Sequence, residues 1–146
     1  MKRKATAVWQ GDLKSGKGKI TTDSGVLSNT QYSFSTRFEN GTGTNPEELI
    51  AAAHAGCFSM AFSAQLGEAG ITPESVNTTA TVTLEKGDGG FDIPEVTLDV
   101  TARVPNADEE SVKKAAENAK TGCPISKLFT AKITMNLRVE TTAKVG

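Results

Sequence analysis

Between residues 4 and 38 the apolar positions come in short runs set among Thr, Ser and Gly, and residues 5–10, 18–22 and 31–38 read as strands. Turn-forming residues occupy 12–17 and 23–25. In the third run Tyr32, Phe34 and Thr36 alternate with Ser33 and Ser35, which predicts one buried face. The pattern then changes to that of a helix. Asn45 is suited to cap it, Pro46 to its first position, and Glu47 and Glu48 to the positive end of its dipole. The helix is expected to run to about Leu66 and to stop at Gly67 and Gly70. It is Ala-rich and apolar almost all the way round, the signature of a helix surrounded by other protein.

Further on, residues 75–85 and 95–104 alternate Val and Leu with Thr and Asp, and 86–90 is a glycine-containing connection, so the two read as a hairpin. Residues 108–120 read as an exposed amphipathic helix. Gly122, Cys123 and Pro124 interrupt it and open a short helix, and 131–140 alternates as a closing strand. Strands, long helix, strands, helix, strand is an α+β order, because strands and helices do not alternate singly as a parallel doubly wound sheet requires. No internal repeat and no low-complexity segment occurs, and neither a dinucleotide fingerprint nor a phosphate-binding loop is present.

The chain has 146 residues, a length suited to one domain, and a formal net charge of -1 with its Lys and Arg scattered. Without a basic stripe, nucleic acid and anionic membrane surfaces are poor partners. The basic start Met1-Lys2-Arg3-Lys4 is not followed by the apolar stretch of a secretory signal, so a cytoplasmic location is expected. The most apolar segment, 49–66, is interrupted by His54, Cys57, Ser59, Ser63 and Gln65, and falls short of the ~20 apolar residues of a membrane span.

Two cysteines in a reducing compartment point to redox chemistry or to buried bystanders rather than to a permanent staple. Cys57 lies mid-helix, too far in for the helix N-terminus to activate it, so a reactive thiolate there needs an outside cation. Arg37 is the candidate, with a surface arginine as the bland alternative. Cys123 is placed as an N-cap, where the dipole of the following helix favours a thiolate, suiting a resolving thiol. Glu47 precedes Cys57 by ten residues, roughly 15 Å along one straight helix, so the two cannot touch within a chain. If Glu47 orients Arg37 at the site, it does so from a second subunit; otherwise it serves only the helix dipole. His54, three residues before Cys57, opens two other readings: a Cys and His pair for acyl transfer, and a zinc site shared with the cysteines. A packed or solvated histidine is the third.

The segments Trp9-Gln10-Gly11-Asp12, Ser24-Gly25-Val26-Leu27, Thr36-Arg37-Phe38-Glu39, Gly43-Thr44-Asn45-Pro46-Glu47-Glu48-Leu49, Ala52-Ala53-His54-Ala55-Gly56-Cys57-Phe58-Ser59-Met60 and Gly122-Cys123-Pro124-Ile125-Ser126 stand in order along the whole chain. Together they resemble the OsmC and Ohr family of osmotically inducible and organic hydroperoxide resistance proteins, nearest its OsmC branch. The resemblance implies one OsmC-like peroxidase domain over 1–146, an α+β protomer with long central helices and an antiparallel sheet, intertwined into a homodimer with its sites at the subunit interface. Matched residue by residue, Cys57 falls on the peroxidatic cysteine, Cys123 on the resolving cysteine, Arg37 on the active-site arginine and Glu47 on its carboxylate partner. Gly56 stands where relatives often have Ala.

The activity implied is reduction of organic hydroperoxides, and more weakly of hydrogen peroxide. It runs through a Cys57 sulfenic acid and a Cys57–Cys123 disulfide that a cellular dithiol, lipoyl-type or other, reopens without metal, haem or flavin. Phe34, Phe38, Phe58, Met60 and Phe62 are candidates to line an apolar substrate pocket, or simply core. The alternative function is a non-enzymatic thiol redox sensor or a small-ligand binding protein.

Overall fold

A computed structural model of the chain describes residues 1–142, which form two compact units: Met1–Leu49, and a second that starts at Ile50. In the first, β1 (Ala5–Gln10), β2 (Lys17–Thr22) and β3 (Thr30–Tyr32) form an antiparallel sheet in that order. Gly18 on the middle strand stands opposite both Trp9 and Tyr32. A side chain there would collide with the Tyr32 ring, and its absence lets that ring approach Trp9, centroids 5.5 Å apart.

The expected strand over 31–38 ends at Tyr32. Ser33 instead caps a five-residue helix, α1 (Phe34–Phe38), in a reciprocal capping box. The Thr36 N–H donates to Ser33 Oγ at 3.2 Å, and the Ser33 N–H donates to Thr36 Oγ1 at 2.8 Å. These bonds satisfy the backbone locally, and the alternation of Tyr32, Phe34 and Thr36 is overridden. The loop after α1 needs Gly43: its φ is +136°, and an added Cβ would stand 2.5 Å from the Gln31 carbonyl oxygen. The Thr44 N–H donates to that carbonyl at 3.0 Å, fixing where the next helix starts.

Helix α2 (Pro46–Glu68) begins as the sequence predicts, with the Glu48 N–H donating to Asn45 Oδ1 at 2.8 Å. It ends where the Ile71 N–H returns to the Leu66 carbonyl and Gly70 turns to φ +73°. By length and composition alone this 23-residue helix is long and apolar enough to cross a membrane, its polar residues included, a test that core helices also pass. Within the chain it is not covered on all sides, as its composition had suggested. His54, Phe58, Phe62 and Leu66 form one buried stripe at four-residue spacing, while Ala52, Ala53, Gly56, Met60, Ser63 and Ala64 are exposed.

In the second unit β4 (Ser75–Gly87) and β5 (Gly90–Arg103) form the expected antiparallel hairpin, with longer strands and a tighter turn than read from sequence. A bulge separates the pairs Thr83–Glu95 and Glu85–Asp92 at Pro94, which has no N–H to give to a ladder. The sheet is not antiparallel throughout: β6 (Lys132–Glu140) runs parallel to β5, Glu95 opposite Lys132 and Arg103 opposite Glu140. The crossover that a parallel pair requires is made by α3 (Glu109–Gly122) and α4 (Pro124–Leu128).

Asp108 caps α3 by accepting the Ser111 N–H at 3.1 Å. Its face of Val112, Ala115, Ala116 and Ala119 is buried, while Lys113 pairs outside with Glu109 and Glu110. The helix is therefore amphipathic as read, and its apolar side belongs to the core. That core joins Phe58, Phe62 and Leu66 of α2 to Val96, Leu98, Val100 and Ala102 of β5 and to α3.

Candidate active site

The residues singled out from sequence gather into two pairs, one in each unit. In the first, Arg37 sits in the last turn of α1 rather than at a strand end, and Glu47 in the first turn of α2. Arg37 Nη2 donates to Glu47 Oε1 at 2.7 Å, and Nε donates to Oε1 at 3.0 Å and Oε2 at 3.3 Å. The forked contact fixes the guanidinium plane, and Nη1 keeps no bond to protein among the described residues. Asn45 ties the arrangement down, its Nδ2 donating to the Thr36 carbonyl at 3.0 Å. Arg37 and Glu47 of the same chain therefore form the pair, so orienting this guanidinium does not need a carboxylate from a second subunit, as the sequence reading had it.

Arg37 borders an apolar cleft of about 240 Å³ whose other walls are Trp9, Leu13, Tyr32, Phe34, Phe38 and Pro46, with Ser33. Phe34 and Phe38 line it as expected, their rings 4.8 Å apart, and the guanidinium carbon lies 5.3 Å from the centroid of Phe38. Phe58 and Phe62 do not line it, because both are fully buried core residues, and Met60 is exposed. Trp9, Leu13, Tyr32, Ser33 and Pro46 are the lining residues sequence reasoning missed; the opposition of Trp9 and Tyr32 across Gly18 is a long-range fact that local patterns do not carry.

In the second unit Cys57 and Cys123, 66 positions apart, meet with their sulfurs 2.8 Å from one another. Both are free thiols, Cys123 buried and Cys57 partly exposed. Cys123 does stand at the N-cap of α4, yet its side chain makes no cap bond. The Ile125 N–H instead favours the charged form of Cys57, so the α4 terminus acts on the other sulfur from the one expected. Burial is the largest influence on Cys57 and pushes its thiol above the ordinary range; the second ionisable sulfur adds to the rise, and the Ile125 N–H opposes it. None of these influences is a basic side chain, so the cation that would free this thiolate is not among them.

His54 is a packed histidine. Fully buried, it shares a 2.8 Å hydrogen bond between Nε2 and Ser126 Oγ, its ring centroid lies 5.2 Å from that of Phe129 in a T-shaped arrangement, and burial lowers its pKa. It makes no bond to Cys57 of the kind an acyl-transfer pair needs, and Nδ1 has no partner among the described residues. Nor do three or more His, Cys, Asp or Glu side chains converge there on a metal position. Ser126 was missed as a partner; the available signal was that a buried lone histidine needs a polar neighbour.

Comparison with known proteins places the chain in a family. Residues 39–138 match the family model described as OsmC-like protein. The chain belongs to the OsmC family. It is 50% identical over 138 residues to the peroxiredoxin OsmC of Escherichia coli, covering 94% of this chain and 96% of that protein. Among solved structures, the organic hydroperoxide resistance protein OhrB of Bacillus subtilis superposes with a TM-score of 0.66 at 27% identity, over 94% of this chain and 98% of that one. An OsmC-like protein from Vibrio cholerae reaches a TM-score of 0.76 over 94% and 99% of the two chains; at 18% identity it speaks to the α+β OsmC fold alone.

Proposed function

We infer that this OsmC-family protein is a thiol-dependent peroxidase that reduces organic hydroperoxides. The observation that carries the reading is the approach of Cys57 and Cys123 to 2.8 Å, because two free thiols at that distance can close to a disulfide of ~2.05 Å with little movement. The relatives named as a peroxiredoxin and as an organic hydroperoxide resistance protein support it.

In the cycle, the Cys57 thiolate attacks the distal peroxide oxygen. An S–O bond forms, the O–O bond breaks, and the alkoxide leaves as the alcohol once protonated. Cys123 then attacks the sulfenic sulfur, forming the S–S bond and releasing water. A cellular dithiol reopens the disulfide by two successive exchanges and is itself oxidised to a disulfide. Residues 1–146 act as one domain in this chemistry, in the cytoplasm, where such reductants are maintained.

Arg37, held by Glu47 of its own chain, supplies the positive charge that Cys57 lacks and uses Nη1 toward the peroxide oxygens. Glu47 and Cys57 stand ten residues apart on α2, so the pair serves the thiol of a partner subunit, and a homodimer builds two such sites. The exposed small-residue face of α2 is suited to that association. The aromatic cleft beside Arg37 takes the apolar tail of the hydroperoxide, which is why hydrogen peroxide is the weaker substrate.

The test is steady-state turnover with a dithiol reductant, comparing cumene hydroperoxide with hydrogen peroxide. Many turnovers per subunit, abolished by Cys57→Ser, are expected. One oxidation per subunit without continued consumption would make the protein a redox sensor instead.

A further inference from the structure

The buried stripe of α2 carries one polar residue, His54, among Phe58, Phe62 and Leu66. A ring with one nitrogen unpaired carries a desolvation cost there that an apolar side chain would not. Among the described residues, the hydrogen bond and the ring contact of His54 are both toward the segment after Cys123: Ser126 through Nε2 at 2.8 Å, and the ring of Phe129, the residue that caps the end of α4, in a T-shaped arrangement. Ser126 is the only buried residue of α4, and Leu128 at its end is 73% exposed.

Two side-chain bridges therefore join α2 to this segment, Cys57 to Cys123 and His54 to Ser126. Each partner of the second lies three residues from a partner of the first. Cys123 stands at the corner between α3 and α4. Its N–H donates to the Ala119 carbonyl at 2.9 Å, which holds the corner from the α3 side. The hydrogen bond of His54 holds it from the other.

We propose that His54 and Ser126 are positioning residues for the resolving step, a latch that keeps Cys123 aimed at Cys57 once the latter is oxidised. The inference rests on the two-cysteine reading above. At the sulfenic stage two reactions compete for the same sulfur. Attack by the Cys123 thiol makes the S–S bond and expels water; a second hydroperoxide transfers its oxygen, leaving a sulfinic acid and an alcohol. The first is intramolecular, and its rate depends on how closely Cys123 is held in line. Cys57 itself stays fixed in the middle of α2, so loosening the latch slows the resolving attack while leaving the first oxidation in place.

The experiment follows Cys57 by quenched-flow mass spectrometry, with dimedone trapping of the sulfenic acid, in wild type, Ser126→Ala, His54→Phe and Ser126→Thr. Ser126→Ala and His54→Phe are expected to oxidise Cys57 within about threefold of the wild-type rate, to form the disulfide about tenfold more slowly, and to accumulate sulfinic acid in proportion. Ser126→Thr, which keeps the hydroxyl, is expected to resolve nearly as wild type does. In a Cys123→Ser background Ser126→Ala should add nothing to the sulfinic yield, since no resolving thiol remains to be aimed. A general packing defect would not give that pattern. Either latch variant, shown folded by its unfolding transition and forming the disulfide at the wild-type rate, overturns the proposal. Wild-type Cys57 that stays reduced under hydroperoxide would instead remove the peroxidase reading beneath it.

Discussion

Two variants that are each inactive alone are predicted to restore activity when their subunits are exchanged. Arg37→Gln keeps both cysteines, whose sulfurs lie 2.8 Å apart within one chain; Cys57→Ser keeps the Arg37–Glu47 fork, made within one chain at 2.7–3.3 Å. Along α2 the carboxylate that holds the guanidinium is roughly 15 Å from the thiol of its own chain, so the proposed site takes one contribution from each subunit. Random exchange makes about half of the molecules heterodimers, each with one complete and one doubly defective site, or about a quarter of wild-type activity per site. The starting points are far lower. Cys57→Ser has no nucleophile, and loss of one preorganised donor costs on the order of 10² to 10³ in rate. Mixing should thus raise turnover more than about tenfold over the better parent. Cumene hydroperoxide consumption with excess dithiol measures it, and native mass spectrometry of one mass-tagged variant counts the heterodimers. Demonstrated heterodimers no more active than the average of the two parents would refute a site shared between chains.

Cys123→Ser should still lose its Cys57 thiol to one equivalent of hydroperoxide but gain oxygen rather than form a disulfide; a monomer mass lowered by two hydrogens would contradict this. Burial already pushes the Cys57 thiol up, and a cation draws it down, so Arg37→Gln should move the pH profile of Cys57 alkylation to higher pH; an unmoved profile would separate Arg37 from the thiol. Phe62→Ala, a truncation at a fully buried position, should cost about 3–5 kcal/mol in chemical denaturation, and a loss below about 1 kcal/mol would mean the core is misassigned.

What could be read from the sequence divides along the range of the forces involved. Helix α2 was legible because its start is decided locally, by Asn45, Pro46 and the two glutamates that follow. Around α1 two local signals conflict: the alternation of Tyr32, Phe34 and Thr36 favours a strand, while the box between Ser33 and Thr36 closes a helical turn. The box prevails because it satisfies backbone donors within four residues. The direction of β6 was not legible, since alternation is the same in parallel and antiparallel strands.

For the site, the residues alone suggested that Cys57 needs a cation and that Glu47 cannot reach it within a chain. They also suited Cys123 to a resolving role, and the resemblance to relatives matched the two cysteines to a peroxidatic and a resolving pair. Their approach across 66 positions, and that of His54 to Ser126 across 72, are products of the core that packs α2 against α3 and the sheet.

The parallel pairing of β6 has a consequence for the birth of the chain. As the polypeptide leaves a ribosome, β4 and β5 can pair at once, being neighbours joined by a tight turn. The far edge of β5, Glu95 to Arg103, then waits unpaired while residues 104–131 are made, and its partner is the last strand described. An open edge flanked by Val96, Leu98, Val100 and Ala102 is a template for pairing with another nascent chain. Translation of that interval is when this protein is most exposed to mispairing, and a fragment ending within it carries the bare edge permanently.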